Sequence, residues 1–183
     1  MKAVKIISPG KAEVVTDAVP PTPSPSDLLI KVVAVGLNPT DWKHINGGHP
    51  STVGCDFAGI VEEVGSAVAR PFKKGDRVWS SVHGSNKLKP GNGAFAEYLV
   101  SKSTLVMKIP DNTSFEDAAA GGVAILTVGQ GMYQQWPEMP WPDKPLKQSI
   151  PLLIWGGSSS TGAVGIQFAK LCVTSPLASL IPH

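Results

Sequence analysis

The sequence predicts a mixed fold, in which an all-β domain precedes the beginning of an α/β domain. Two observations predict it. Up to about residue 110, short strand-like runs alternate with glycine-containing turns, a pattern typical of β-barrel-like domains. Near the end of the chain, PLLIWGGSSSTGAVGIQFAKL changes from the period of a strand to that of a helix, as a strand–loop–helix unit does.

Composition narrows the class of protein. The 183 residues are 42% hydrophobic and 16% charged, which indicates a globular protein with a sizeable core. A net charge of +2 without a Lys/Arg cluster argues against nucleic-acid and membrane-surface partners. Only Cys55 and Cys172 are present, the start of the chain has no long apolar stretch, and no run approaches a membrane span. We therefore expect a cytoplasmic protein.

The all-β part can be assigned element by element. AVKII and AEVVT flank a Ser8-Pro9-Gly10 turn and predict a hairpin, and DLLIKVVAVGL predicts a long strand. NPTDWKHING predicts a short helix that begins near Pro39 and ends at Gly47-Gly48. Four further strands are expected in FAGIVEEVG, RVWSSV, AFAEYLV and LVMKIP.

The remaining segments predict the domain organisation. SFEDAAAGGVAILTVGQGMYQQW favours a helix capped by Ser114, with Asp117 three residues later. Proline-rich runs at 19–27 and 136–151 favour surface loops, because proline lacks a backbone donor. We expect one domain at 1–135, a linker at 136–150, the start of an α/β domain at 151–171 and a divergent tail at 172–183.

The terminal loop carries the clearest sign of chemistry. Gly156 and Gly157 suit a tight turn, Gly162 suits close helix–strand contact, and residues 158–161 offer four hydroxyls at a helix N-terminus, where a phosphate is favoured. The loop does not match G-x-G-x-x-G, so the residues alone leave nucleotide binding and an ordinary turn equally open. No acidic residue follows Asp143 to contact a ribose, so NAD and NADP cannot be told apart.

Six motifs in order resemble one known family: NPTDWKH, GCDFAG, KKGDRV, GAFAEY, IPDNTSFEDAA and GGSSSTG. Up to Leu171 the chain resembles the zinc-independent medium-chain dehydrogenase/reductase superfamily, and within it the fungal ToxD-like oxidoreductases and trans-acting enoyl reductases. The resemblance implies a GroES-like β-barrel domain followed by the first βα unit of a Rossmann domain. It also implies NADPH as the cofactor and a small-molecule or carrier-bound acyl substrate, with a polyketide synthase as a possible partner.

The resemblance also implies roles for individual residues. Hydride from NADPH would reach the β-carbon of an α,β-unsaturated thioester, with Lys43 as the catalytic cationic contact. Cofactor contacts would be Asp41, Trp42, Lys43, His44, Ser158, Ser159, Ser160 and Thr161. The substrate channel would be lined by Ala124, Ile125, Leu126, Thr127, Val128, Gly129, Gln130 and Gly131. From the sequence alone, Lys43 and His44 also suit a solvated surface, Trp42 a core position, and much of 124–131 a core helix.

No metal site is expected. Zinc-dependent members of the superfamily place Cys and His where this chain has Asn38 and Cys55. His44, Cys55, Asp56 and Glu63 could supply some ligands, but three with fixed geometry are required. Cys55 suits a small buried position instead.

The end of the chain sets a further expectation. From Cys172 the resemblance fails, and Pro176 makes CVTSPLASLIPH a poor second Rossmann strand. We expect a C-terminally truncated form in which PLLIW lacks sheet neighbours, NADPH binds weakly or not at all, and the chain aggregates. Two alternatives stay open: a quinone reductase of the same superfamily, and a non-catalytic module that binds a partner.

Overall fold

A computed structural model describes residues 1–147, 150–172 and, by backbone alone, 177–180. It divides the chain into two compact units, Met1–Gly122 and Val123–His183. This division falls earlier than the linker predicted at 136–150. The reason is that the residues after Gly122 pack within the second unit, where the rings of Tyr133 and Phe168 meet edge to face at 6.4 Å.

Two antiparallel sheets build the first unit. The predicted hairpin is present as β1 (Ala3–Ser8) and β2 (Lys11–Val15). A second sheet has the order β6-β3-β4-β5-β7. Its strands are β3 (Asp27–Gly36), β4 (Asp56–Val64), β5 (Arg77–Ser81), β6 (Tyr98–Lys102) and β7 (Met107–Lys108). All four pairings in this sheet are antiparallel, as expected when short strands are joined by tight turns.

One face of the larger sheet carries the core of the first unit. Its main cluster of fully buried apolar side chains consists of Leu28, Ile30, Phe57, Val61, Val78, Ala94, Leu99 and Val106. Along β3 the alternation leaves Val33 and Val35 exposed on the other face. Each large side chain in this cluster stabilises the fold by about 1.5–3 kcal/mol relative to an exposed position.

Three helices lie where the sequence predicts helical structure, but one of the predicted helices is broken into two. Helix α1 (Pro39–Gly47) begins at the predicted proline, and Gly48 ends it with φ of 71°. The single helix predicted from Ser114 is instead two, α2 (Phe115–Ala119) and α3 (Gly122–Gly129), and a π-helical turn (Gln130–Gln134) continues α3. The predicted cap is present, since Ser114 Oγ accepts a hydrogen bond from the Asp117 amide at 3.0 Å.

A parallel β–α–β arrangement forms the second unit. Strand β8 (Leu152–Trp155) leads into α4 (Ser160–Cys172), and β9 (Leu177–Leu180) pairs with β8 in parallel. The expectation that PLLIW lacks a sheet neighbour is therefore wrong. Strand β9 begins one residue after Pro176, so the proline need not supply a ladder hydrogen bond. The rest of the predicted tail, 173–176 and 181–183, lies outside the described residues.

The proline-rich segment contributes to this second unit. Met139 is buried beside Cys172, and Trp141 stacks on Tyr133 with ring centroids 4.1 Å apart. The Leu146 amide donates to the Cys172 carbonyl at 3.0 Å. The predicted exposed loop is thus anchored by packing. Across the described residues, none of the helices has the length and apolar character needed to cross a membrane.

Candidate functional site

The glycine loop between β8 and α4 folds directly onto the first turn of the helix. Gly156 adopts φ of 79°, a conformation that glycine tolerates without strain. A Cβ on Gly162 would lie only 2.1 Å from the Gly156 carbonyl oxygen, so glycine is required at this contact. The sequence-based expectation of a close approach at Gly162 is confirmed, although the contact is with the loop backbone rather than with the strand.

Ser159 caps helix α4 and uses its hydroxyl for that purpose. Its Oγ donates to the Gly156 carbonyl at 2.8 Å and accepts from the Gly162 amide at 3.0 Å. Its own carbonyl accepts from the Ala163 amide at 2.8 Å. This leaves the exposed hydroxyls of Ser158, Ser160 and Thr161 for a ligand. Because the amides of Gly162 and Ala163 donate to Ser159, the first-turn amides left for a ligand are those of Ser160 and Thr161, at the positive end of the helix dipole.

A cleft of about 340 Å³ opens beside this loop within the second unit. Its walls come from the glycine loop and the start of α4, from β8, and from α3 with the π-helical turn. It is lined by Thr127, Val128, Gly131, Met132, Trp136, Leu152, Ile154, Trp155, Ser159, Thr161, Gly162 and Gly165. Amide donors at one end and apolar side chains along the walls fit a nucleotide and an apolar substrate chain.

The cleft brings together residues that the sequence assigned to two different roles. Thr127, Val128 and Gly131, expected in the substrate channel, share it with Ser159 and Thr161, expected at the cofactor. The other expected channel residues do not line it: Ala124 is buried, Ile125, Leu126 and Gly129 are half-buried, and Gln130 is exposed.

Sequence reasoning missed two tryptophans in this cleft, Trp136 and Trp155. Trp136 opens the proline-rich segment, whose composition suggested a linker. Trp155 is the last residue of β8 before the glycine loop, so its position next to Gly156 was the available signal.

In the first unit, α1 presents its predicted site residues in different environments. Asp41 is buried, and its Oδ2 accepts from the Asn38 amide at 2.8 Å. Trp42 is 56% exposed, so it is not a core anchor, and Lys43 is exposed with Nζ 5.7 Å from the Trp42 ring centre. His44 is half-buried, with Nε2 3.5 Å from Thr40 Oγ1. Among the predicted site residues of α1, Trp42 and Lys43 are therefore the most open to a ligand.

A buried polar cluster lies behind α1. Asn38 Nδ2 donates to Asp56 Oδ2 at 2.9 Å. Burial raises the pKa of Asp41 above its ordinary value, and burial, reinforced by the nearby carboxylates, raises the pKa of the Cys55 thiol to about 11. The expectation that Cys55 is buried is confirmed. At neutral pH the cluster therefore holds a protonated thiol.

Metal-binding potential is limited in the part of the chain that the structure describes. There, no three His, Cys, Asp or Glu side chains are grouped so that they could hold a metal ion.

Comparison with known proteins identifies the fold. Residues 24–111 match the alcohol dehydrogenase GroES-like domain. The curated relative "Trans-enoyl reductase TOXD" from Cochliobolus carbonum is 46% identical over 184 residues, and the match covers 100% of this chain and 62% of that protein. The chain thus spans less than two thirds of the length of this curated relative.

Solved structures agree with the sequence matches. The quinone oxidoreductase from Coxiella burnetii has a TM-score of 0.75 at 28% identity, covering 98% of this chain and 56% of that one. Mycobacterial Rv1454c, solved in complex with NADPH, has a TM-score of 0.77 at 26% identity, covering 100% of this chain and 53% of that one. NADP(H) is thus bound within this group of structures. A GroES-like domain is followed here by the start of a Rossmann domain, so the chain has the fold of the medium-chain dehydrogenases/reductases and is similar to the fungal trans-enoyl reductases.

Proposed function

We propose that the protein takes part in the NADPH-dependent reduction of an activated C=C bond in an enoyl thioester. The observation that carries the proposal is the second-unit cleft, where the N-terminal turn of α4 meets an apolar wall from α3. The relationship to TOXD, described as a trans-enoyl reductase, supports the same reaction class. When bound, NADPH supplies a hydride to the β-carbon of the substrate, and the α-carbon then takes up a proton.

The residues of the chain orient the reactants. The amides of Ser160 and Thr161 and the hydroxyls of Ser158, Ser160 and Thr161 hold the cofactor phosphates, and the absence of a side chain at Gly162 keeps the loop against the helix. Thr127, Val128 and Gly131 contact the substrate chain beside that loop. Lys43 provides a cationic contact to the cofactor, supported by its exposure and by its place in the motif NPTDWKH.

The partner and the location are also proposals. The substrate arrives as a carrier-bound acyl thioester from a polyketide synthase, in keeping with a trans-acting reductase. Both cysteines are free thiols, which supports a reducing cytoplasmic setting.

The test is NADPH oxidation by the purified protein with two acceptors, a crotonyl thioester of N-acetylcysteamine and a benzoquinone. The pairing of β8 with β9 removes the reason for expecting little or no NADPH binding, so we expect oxidation with the thioester. Because a quinone oxidoreductase shares this fold at 28% identity, the quinone arm tests the second candidate function. Turnover of the quinone alone would contradict the enoyl-reductase proposal in favour of a quinone reductase. If neither acceptor is reduced and the protein does not change NADPH fluorescence, a non-catalytic partner-binding module is favoured.

Lys43 gives this proposal a residue-level test. Lys43→Ala is expected to weaken NADPH binding, measured by cofactor fluorescence, by about tenfold, because a charge-assisted contact to a phosphate or ribose is lost. Lys31→Ala is the matched control, since Lys31 is also exposed but lies on β3, outside the proposed contacts. Equal NADPH affinity in the two variants would remove Lys43 from the proposed site.

A further inference from the structure

The first unit contains a cleft of its own, of about 490 Å³, between the second half of α1 and the loop that follows β5. Its lining is rich in cationic and imidazole groups: Lys43, His44, His49, His83 and Lys87, with Asn86 between the last two. No carboxylate is among the described residues that line it. The sequence motifs gave no role to His49, His83 or Lys87, so this concentration of basic groups is visible only in the fold.

The loop side of the cleft is held in place by its own hydrogen bonds. Asn86 Nδ2 lies 3.2 Å from His83 Nδ1, and Asn86 Oδ1 accepts from the Leu88 amide at 2.8 Å. The His83 ring lies 6.4 Å from the His44 ring on α1, measured between centroids. These contacts place the imidazole of His83 at the border between loop and helix.

We propose that this cleft binds the phosphate of a phosphopantetheine arm that carries the acyl thioester, an inference that rests on the proposed enoyl-reductase function. The ammonium group of Lys87 and three imidazoles, with no carboxylate among the described lining residues, favour an anion over a metal cation. The volume exceeds that of a phosphate and leaves room for a pantetheine chain. Leu88, 91% exposed at the rim, offers an apolar contact to that chain.

The test compares two ligands that differ by one group. 4′-Phosphopantetheine and pantetheine are titrated separately into the protein by isothermal calorimetry, with neither NADPH nor an acyl acceptor present. We expect 4′-phosphopantetheine to bind at least about tenfold more tightly, and the difference to shrink as salt is added. Equal affinities, or no binding of either ligand, would overturn the proposal.

A charge variant locates the binding. Lys87→Gln should weaken binding of 4′-phosphopantetheine about three- to tenfold and leave pantetheine unchanged, because one exposed ammonium is lost. Lys31→Gln, at an exposed position of β3 that does not line the cleft, should change neither. Equal effects of the two variants would contradict the assignment to this cleft. Lys43 is left unchanged because it is proposed to contact the cofactor.

Competition separates the possible sources of the phosphate. A carrier protein bearing phosphopantetheine should compete with free 4′-phosphopantetheine, whereas the same carrier without the arm should not. Displacement by NADPH in a one-to-one manner would assign the cleft to the cofactor and overturn the inference. These binding measurements need no turnover. If the protein prefers 4′-phosphopantetheine but reduces no enoyl thioester, the result contradicts the proposed reaction and leaves the proposed phosphate site intact.

Discussion

Gly162 is the residue at which the candidate nucleotide site tolerates least change. An added Cβ would lie 2.1 Å from the Gly156 carbonyl oxygen and 2.8 Å from the Gly157 Cα. Both are backbone atoms, so no side-chain rotation relieves the overlap. We expect Gly162→Ala to destabilise the second unit by about 2–4 kcal/mol and to weaken NADPH binding, since the loop must move away from the helix. Urea unfolding and cofactor fluorescence measure the two effects.

Gly129 provides the control for that substitution. No atom lies within 4 Å of the position that its Cβ would occupy, and its backbone is helical. Gly129→Ala should therefore raise the free energy of unfolding by about 0.5–1 kcal/mol through a less flexible unfolded chain. If both alanine variants unfolded like the original protein, the tight loop–helix contact would not exist in solution.

Cys55 makes stability depend on pH in the alkaline range. Burial raises its thiol pKa to about 11, from an ordinary value of 9.0 for an exposed thiol. Between these values the unfolded chain has released the proton and the folded chain retains it, so the free energy of unfolding falls as pH rises. The contribution is complete below pH 9 and decreases by up to about 2–3 kcal/mol towards pH 11.

The Cys55→Ala variant isolates this contribution. Denaturant unfolding of both proteins at several values between pH 8 and 10.5 gives the difference in their free energies of unfolding. We expect that difference to shift steadily in favour of the variant as pH rises, because alanine does not titrate. The shift should be about 1.4 kcal/mol per pH unit at most. A difference that stays constant with pH would show that the thiol titrates normally.

At the level of elements, the proline-rich segment differs most from its sequence-based interpretation. Met139 is 3% exposed and packs in a cluster with Cys172, although its neighbours in sequence suggest a surface loop. We expect Met139→Ala to lower the free energy of unfolding by about 2–4 kcal/mol, the cost of a cavity in a core. Glu138→Ala, at the exposed adjacent position, should change it by less than about 0.5 kcal/mol. Comparable small effects of both substitutions would restore the linker interpretation.

At the scale of the whole molecule, the elements that depend on neighbouring residues were predicted correctly, whereas contacts between residues distant in sequence were not predicted. The hairpin at Gly10, the helix that begins at Pro39 and the cap at Ser114 each depend on a few neighbouring residues, and all three are present. The bond from Asn38 to Asp56 joins residues 18 apart, and the pairing of β8 with β9 crosses a whole helix. No local pattern encodes such contacts, because they depend on how the chain returns on itself.

The same contrast applies to the candidate site. The glycine loop was recognisable because turn, cap and close approach fall within seven residues, Gly156 to Gly162. The basic cleft of the first unit was not recognisable from the sequence. Its two walls, α1 and the loop after β5, are separated in sequence by β4 and β5, and they meet only once the sheet has formed. Binding measurements are therefore most informative where several distant segments contribute.

NADPH should stabilise the folded protein as a whole, since a ligand that binds only the native state shifts the unfolding equilibrium. At a hundred times its measured Kd, NADPH is expected to add about 2.7 kcal/mol to the free energy of unfolding. Thermal or urea unfolding with increasing NADPH measures this gain. The gain should be strongly reduced in Gly162→Ala and kept in Gly129→Ala, because only the first substitution displaces the loop. A protein whose unfolding does not respond to NADPH at any concentration would lack the cofactor site, and the partner-binding alternative would then account better for the fold.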